Sequence, residues 1–261
     1  MSIFQPIVLG LVQGLTEFLP ISSSGHLILI PKLFGWAEQG LAFDATIHLA
    51  TLAAVIVALW GDVKNLGLGI FKKNESGKLA WRIIAASIPV LFLGWFLNDW
   101  IENYFRSPVV VVVSLVFWGL ILWLTDTRVK KNAENCIEKV GLRQTFLISL
   151  SQVIAFIPGT SRSGITISAG LFSGLSREAA ARFSFLLSVP AIAAAGVYSF
   201  WKILGSGEAS DWSALVIAFV AAFISGFLAI RFLLKIMKVS SYKWFVFYRL
   251  ALAAIILISV F

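Results

Sequence analysis

Apolar runs long enough to cross a bilayer alternate with short basic segments along most of this chain. A full span needs about 20 predominantly apolar residues. Six stretches meet that length: roughly 41–60, 83–100, 108–125, 180–203, 213–234 and 244–261. Two further apolar regions fall short. In 3–35 the pattern breaks at Pro20, and the arm beyond it, Leu27–Gly35, is too short to cross at about 1.5 Å per residue. In 145–175 the polar run Ser161-Arg162-Ser163-Gly164 divides two arms of similar, insufficient length. Short helices around a polar break predict re-entrant hairpins, tolerated only where protein or water surrounds the exposed backbone. The expected fold is an all-α polytopic membrane protein of six transmembrane helices plus two re-entrant helical hairpins.

Composition agrees. The 261 residues are 59% hydrophobic with a mean hydropathy of +0.91, far from a soluble domain. The net charge of +8 would suit nucleic acid, but its distribution argues for cytoplasmic loops instead. Lys64, Lys72, Lys73, Lys78 and Arg82 fall in 61–82, and Arg128, Lys130, Lys131, Lys139 and Arg143 in 126–144. Arg231, Lys235, Lys238 and Lys243 form a third group. The intervening ends carry Lys32, Arg106 and Lys202 with acidic Asp99, Glu102, Glu208 and Asp211. The positive-inside rule places the first three groups in the cytoplasm and both termini outside. Trp60, Trp100, Trp201, Trp212 and Trp244 fall near span ends, as interfacial anchors do. Cys136 is the only cysteine, which excludes an intramolecular disulfide or a cysteine metal cluster. The first apolar run contains Gln13 and Glu17 and has no basic residue before Pro6, unlike a cleavable signal peptide.

The two short regions are related. Gln13 to Gly25 spans twelve residues and ends Ser-Ser-Ser-Gly; Gln152 to Gly164 spans twelve and ends Ser-Arg-Ser-Gly. Pro20 and Pro158 match within one residue. Each hairpin is followed by three spans, an odd number, so the second unit is inverted relative to the first. The expectation is one integral-membrane domain, 1–261, with repeat 1 at about 1–125 and repeat 2 at about 145–261. Inverted repeats commonly bring broken helices together near the midplane. That would gather Glu17, Ser22–Ser24 and His26 with Ser161, Arg162 and Ser163.

Such a constellation has a chemistry. Gln13 and Glu17 are four apart and share one helix face. A carboxylate in hydrocarbon costs roughly 3 kcal/mol on insertion scales, so Glu17 calls for a partner. Two helix N-termini aimed at one place attract an anion, and Arg162 adds a planar fork suited to phosphate. Ser22, Ser23, Ser24, Ser161 and Ser163 add hydroxyl donors. Glu17 with Gln13 could hold a hard divalent cation such as Mg²⁺. His26 can move a proton near neutral pH, and one serine of the loop is expected beside it because Gly25 lets the chain turn tightly. Plainer readings stand beside these: SSSGH as a helix cap, Arg162 as a structural partner of Glu17, Asp44 and His48 as a polar helix-face pair, and Ser188-Val-Pro190 as a kink. Arg177 and Arg182 read as further cytoplasmic charge.

Two stretches, Gln13-Gly-Leu-Thr-Glu17-Phe-Leu-Pro-Ile-Ser-Ser-Ser-Gly-His26 and Pro158-Gly-Thr-Ser-Arg-Ser-Gly-Ile-Thr166, resemble the bacterial undecaprenyl-diphosphatases, or bacitracin-resistance proteins. The resemblance runs through essentially the whole chain. It implies dephosphorylation of undecaprenyl diphosphate in the bacterial inner membrane, with the site facing the periplasm, and dependence on a divalent cation, Mg²⁺ or Ca²⁺. It implies Ser23, His26 and Glu17 as catalytic residues, with Ser23 as nucleophile and metal-bound water as the alternative. Arg162, Ser161, Ser163, Ser22, Ser24 and Thr166 would bind phosphate, and Glu17 and Gln13 the cation. The family's first motif opens with Glu or Gln; Gln13 leaves one carboxylate fewer than members with Glu. The partners implied are the polyprenyl diphosphate and membrane lipids, with no nucleic acid and a homodimer left open. The acid-phosphatase-like lipid phosphatases also use Ser-Gly-His, but their Lys/Arg-Pro motif is missing and Ser168, not His, lies six residues after Arg162. The runner-up function is a transporter or flippase of the same lipid.

The loop charges make a direct prediction. In a Cys136→Ser background, a cysteine replacing Ala209 should react with an impermeant thiol reagent in spheroplasts, and one replacing Asn74 should not. The reverse pattern would turn the expected topology over.

Overall fold

Each break and cap in the pattern opens or closes a helix. The computed structural model describes residues 3–37, 40–72, 74–105, 107–130, 132–206 and 211–260. Lys73, Arg106, Lys131 and Glu208 lie outside the described residues, as do the side chains of Asp99, Glu102, Trp201 and Lys202. The first hairpin is α1 (Phe4–Phe18) and α2 (Ser23–Phe34), followed by α3 (Leu41–Ala58), α4 (Trp60–Gly69), α5 (Glu75–Tyr104) and α6 (Pro108–Thr127). The second is α7 (Leu142–Ser151), extended by a 3₁₀ turn over Gln152–Phe156, and α8 (Arg162–Phe172). Then come α9 (Arg177–Ser206), α10 (Trp212–Ile236) and α11 (Lys243–Val260). The described residues contain no strand, only an isolated bridge between Glu134 and Leu175.

By length and composition four helices can each cross a membrane, within Glu75–Leu97, Pro108–Thr127, Arg177–Gly196 and Trp212–Ile236. These match the expected spans 83–100, 108–125, 180–203 and 213–234. The expected span 41–60 is α3, which turns by 87° into α4; counted together they make a fifth. The sixth, 244–261, is α11, which is not among those four. The segment 61–82, expected as a loop, is mostly helical. Asn74 caps the Gly77 amide at 2.8 Å and Lys78 pairs with Glu75 at 2.7 Å, so α5 starts well before its apolar run. Hydropathy marks where a helix meets lipid, not where it begins. Pro190 lies inside α9, where Ser188 Oγ donates to the Phe185 carbonyl.

Large apolar side chains cover the surface as well as filling the core. Phe92, Trp95 and Phe96 on α5 and Phe117 and Trp123 on α6 are exposed, as are Trp60, Trp100, Trp212 and Trp244, while Gln13, Glu17, His26 and Arg249 are buried. Arg177 and Arg182 are not free surface charge. Arg182 grips both oxygens of Asp62, and Arg177 grips Asp126, whose other oxygen accepts the Tyr242 amide.

The two hairpins pack crosswise. α1 lies along α10, and α7 lies along α5, while α3 meets α9 and α6 meets α11. The α1–α10 contact is close because both faces are small: Gly10 and Gly14 against Ala218, Ala222, Ser225 and Gly226. A Cβ on Gly14 would run into Ser225 Oγ and the Ala222 carbonyl. Without a hydrophobic drive between helices in lipid, such close backbone approach is what holds them. Gly14→Ala should therefore lower the unfolding temperature in detergent, by overpacking worth about 1–3 kcal/mol or more. Gly67→Ala, inside α4 where a Cβ meets nothing within 4 Å, should leave it unchanged or raise it slightly.

Candidate active site

The two breaks adopt one conformation. Ser22 and Ser161 stand directly before α2 and α8 with φ of 74° and 71° and ψ of 100° and 109°. They are the only positive-φ residues other than glycine among the described residues. Such backbone costs about 1–3 kcal/mol each, and each serine offsets it by capping its own helix. Ser22 Oγ accepts from the Gly25 amide at 3.4 Å, and Ser161 Oγ from the Gly164 amide at 3.1 Å. Each capping hydroxyl also meets the serine two residues on, Ser24 at 3.1 Å and Ser163 at 3.2 Å. These second serines cross over. Ser24 Oγ accepts from the Gly159 amide at 3.1 Å, and Ser163 Oγ donates to the Leu19 carbonyl at 3.0 Å. Each hairpin thus satisfies a backbone group in the other's break, which lipid cannot do.

Glu17 is the hub between them. Arg162 Nη2 donates to Glu17 Oε1 at 2.6 Å across the interface of the two hairpins. Gln13 Nε2 and Ser23 Oγ both donate to Oε2, at 3.2 Å and 3.0 Å. The structural reading of Arg162 as a partner of Glu17 is therefore real, yet it does not exhaust the guanidinium. Arg162 Nη1 is buried and has no partner among the described residues. A charged donor left open beside two helix N-termini is what an arriving phosphate oxygen would meet.

His26 is not where the loop geometry placed it. Its Nδ1 faces the Ser22 carbonyl at 2.7 Å, and its Nε2 faces the Tyr248 hydroxyl at 2.7 Å. No hydrogen bond joins it to Ser23 among the described residues. Ser23 is the first residue of α2 and reaches back to α1, whereas His26, three residues on, turns its ring towards α11. Ser23 is thus oriented by a carboxylate rather than an imidazole.

The nominated phosphate donors divide in the same way. Ser22 and Ser161 are caps, and Ser24 and Ser163 stitch the breaks together. Thr166 lies one turn down α8, where its hydroxyl meets Ser184 at 2.6 Å and the Arg162 carbonyl at 2.8 Å. Arg162 Nη1 and the first amides of the two helices remain to face an anion, while the one Ser23 proton is spent on Glu17. For the cation, no group of three His, Cys, Asp or Glu side chains is assembled among the described residues. Gln13 Oε1, however, is buried beside the carboxylate with no partner. An open amide oxygen next to Glu17 fits a hard cation whose other ligands come from phosphate and water. His48 Nδ1 bonds to the Asp44 backbone carbonyl at 2.7 Å, one turn back along α3.

Two residues of α11 escaped the sequence reading. Tyr248 holds His26, and Arg249, fully buried, holds the second break. Arg249 Nε donates to the Leu115 carbonyl at 3.0 Å, and Nη2 to the carbonyls of Ser114, Gly159 and Thr160 at 3.0–3.2 Å. Its signal was present, since an arginine inside an apolar span is expensive and rarely idle.

Fold and site together define a multi-pass helical membrane protein with two paired helix breaks, a hydroxyl held on a carboxylate and a guanidinium nitrogen left without a partner. The chain belongs to the bacitracin resistance protein BacA family, whose model matches residues 6–255. It is 43% identical over 267 residues, the full length of both chains, to an undecaprenyl-diphosphatase of Alteromonas mediterranea. It is 46% identical to one of Caldicellulosiruptor bescii, covering 98% of this chain and 97% of that one. A third, of Hahella chejuensis, is 41% identical over 99% of this chain and 98% of its own.

The strained caps separate two effects. Ser161→Ala loses the cap and keeps the strain; Ser161→Gly loses the cap but relieves the strain. The glycine variant should therefore unfold at a higher temperature than the alanine variant, the difference being on the order of 1 kcal/mol.

Proposed function

We propose that this chain hydrolyses undecaprenyl diphosphate to undecaprenyl phosphate and inorganic phosphate, recycling the carrier lipid of cell-wall synthesis. The observation that carries the reading is the Ser23 hydroxyl on Glu17, 3.0 Å away, beside an arginine with a free buried donor at two helix N-termini. Relatives of the same length and 41–46% identity bear the name undecaprenyl-diphosphatase, which supports the substrate.

The terminal phosphate would sit against Arg162 Nη1 and the first amides of α2 and α8. Phosphoryl transfer asks mainly for positioning and for neutralisation of the equatorial oxygens, and these groups supply both. Ser23 Oγ attacks the terminal phosphorus, the anhydride P–O bond breaks, and the lipid monophosphate leaves. The serine proton goes towards Glu17, which the Arg162 ion pair keeps in place. Water then releases inorganic phosphate from Ser23, with His26, one turn along α2, as its base. Glu17 and Gln13 would hold a divalent cation, which supplies further neutralisation of diphosphate charge when bound. The matching caps and crossed packing support an inverted repeat of six spans and two re-entrant hairpins, about 1–125 and 145–261. The loop charges support an inner-membrane orientation with the site open to the periplasm.

Purified protein in detergent should release phosphate from a prenyl diphosphate; binding without release would favour the flippase. Ser23→Ala should lower turnover by at least the 10²- to 10⁴-fold typical of losing proton-transfer help. Arg162→Lys, which keeps the charge but loses the fork, should also lose most activity. A sizeable rate in Ser23→Ala, with no phosphoserine trapped by rapid quench, would move the attack to water.

A further inference from the structure

Tyr248 is the outer member of a pair whose inner member is His26. The rings are stacked, 10° from parallel with centroids 5.6 Å apart. His26 is 5% exposed and Tyr248 46%. The Ser22 carbonyl can only accept, so His26 Nδ1 carries a proton. In the neutral ring Nε2 then offers a lone pair, and at 2.7 Å the Tyr248 phenol donates to it. In the imidazolium the same contact runs the other way, and Nε2 has no lone pair at all. In either state the ring cannot take a proton from water while the phenol stays in place. The mechanism above needs that nitrogen as a base, so something must draw the phenol off it.

We propose that Tyr248 is a further residue of the phosphate site: its phenol donates to His26 at rest and to a non-bridging oxygen of the bound diphosphate in the complex. This rests on the diphosphatase reading. The His26–Tyr248 pair stands one turn along α2 from Ser23, at the helix end where the anion would bind. An anionic phosphate oxygen is a stronger acceptor than a neutral imidazole nitrogen. The phenol therefore moves to the phosphate when one arrives, and His26 Nε2 is uncovered. The base becomes active only in a loaded site.

The test uses inorganic pyrophosphate as the probe, on the full chain in detergent. Tyr248→Phe should bind pyrophosphate about 10- to 100-fold more weakly, the range of a hydrogen bond to a charged group. Its kcat/KM for a prenyl diphosphate should fall at least as far, and its unfolding temperature should stay close to wild type. Unchanged pyrophosphate affinity would overturn the proposal, because a phenol that merely props the imidazole would not alter it. A second measurement needs no Tyr248 variant. The ¹⁵N resonance of His26 Nε2, assigned against a His48→Gln protein, should move as pyrophosphate saturates the wild type. A stationary resonance at saturation would also overturn it. Wild-type protein that binds pyrophosphate and moves this resonance but cleaves no prenyl diphosphate would instead remove the diphosphatase reading and leave the handover standing.

Discussion

A carboxylate buried where two half-helices meet must find its neutralising charge within the protein, and everything else in this fold follows from where that charge comes from. Glu17 and Arg162 are 145 positions apart in sequence and in contact at 2.6 Å. Removing one partner of a buried pair typically costs about 3–5 kcal/mol, far more than the pair itself contributes over apolar packing. The pair is therefore poor cement and a strong constraint. It specifies that the two hairpins approach tip to tip, and it leaves Arg162 with one occupied and one open nitrogen. The same carboxylate holds Ser23, so the contact that joins the halves also aims the hydroxyl.

That approach leaves irregular backbone where the two hairpins meet, and the protein answers it by exchange. Ser24 serves the second break and Ser163 the first. Arg249 takes the remaining carbonyls of the second break from behind. Neither hairpin is complete alone. The crossed packing of α1 on α10 and α7 on α5 extends this dependence through the body of the molecule, with small residues rather than large ones at the tightest crossing. Polar groups and small side chains thus join the hairpins at their tightest crossings, beside an apolar core that includes Phe18, Leu122, Phe183 and Phe185.

Much of this was legible along the chain. Apolar length showed helices at α5, α6, α9 and α10, and Pro20 and Pro158 marked the breaks. The twelve-residue spacing from Gln13 to Gly25, repeated from Gln152 to Gly164, carried the kinship of the hairpins. The matched φ of Ser22 and Ser161 is that kinship in backbone form. Residue type also nominated Glu17 and Arg162, since ionisable groups in apolar runs must be doing something, and the resemblance of the first motif nominated Ser23. These are local properties: periodicity, length, breakers and the cost of a charge in hydrocarbon depend on near neighbours.

Partnership was not local, and only the tertiary structure decided it. Neighbouring positions in sequence put Ser23 with His26; the fold put Ser23 on Glu17 and His26 on Tyr248, 222 residues away. Thr166 and all four serines flanking Ser23 and Arg162 turned inward as caps, stitches and packing contacts, because broken backbone needs them more urgently than a ligand does. Hydropathy began α5 too late, because the Asn74 cap and the Lys78–Glu75 pair extend the helix beyond its apolar run. Which donor is spent and which is left open depends on groups brought from elsewhere in the chain. A sequence can therefore name the residues of such a site, while the fold assigns their hydrogens.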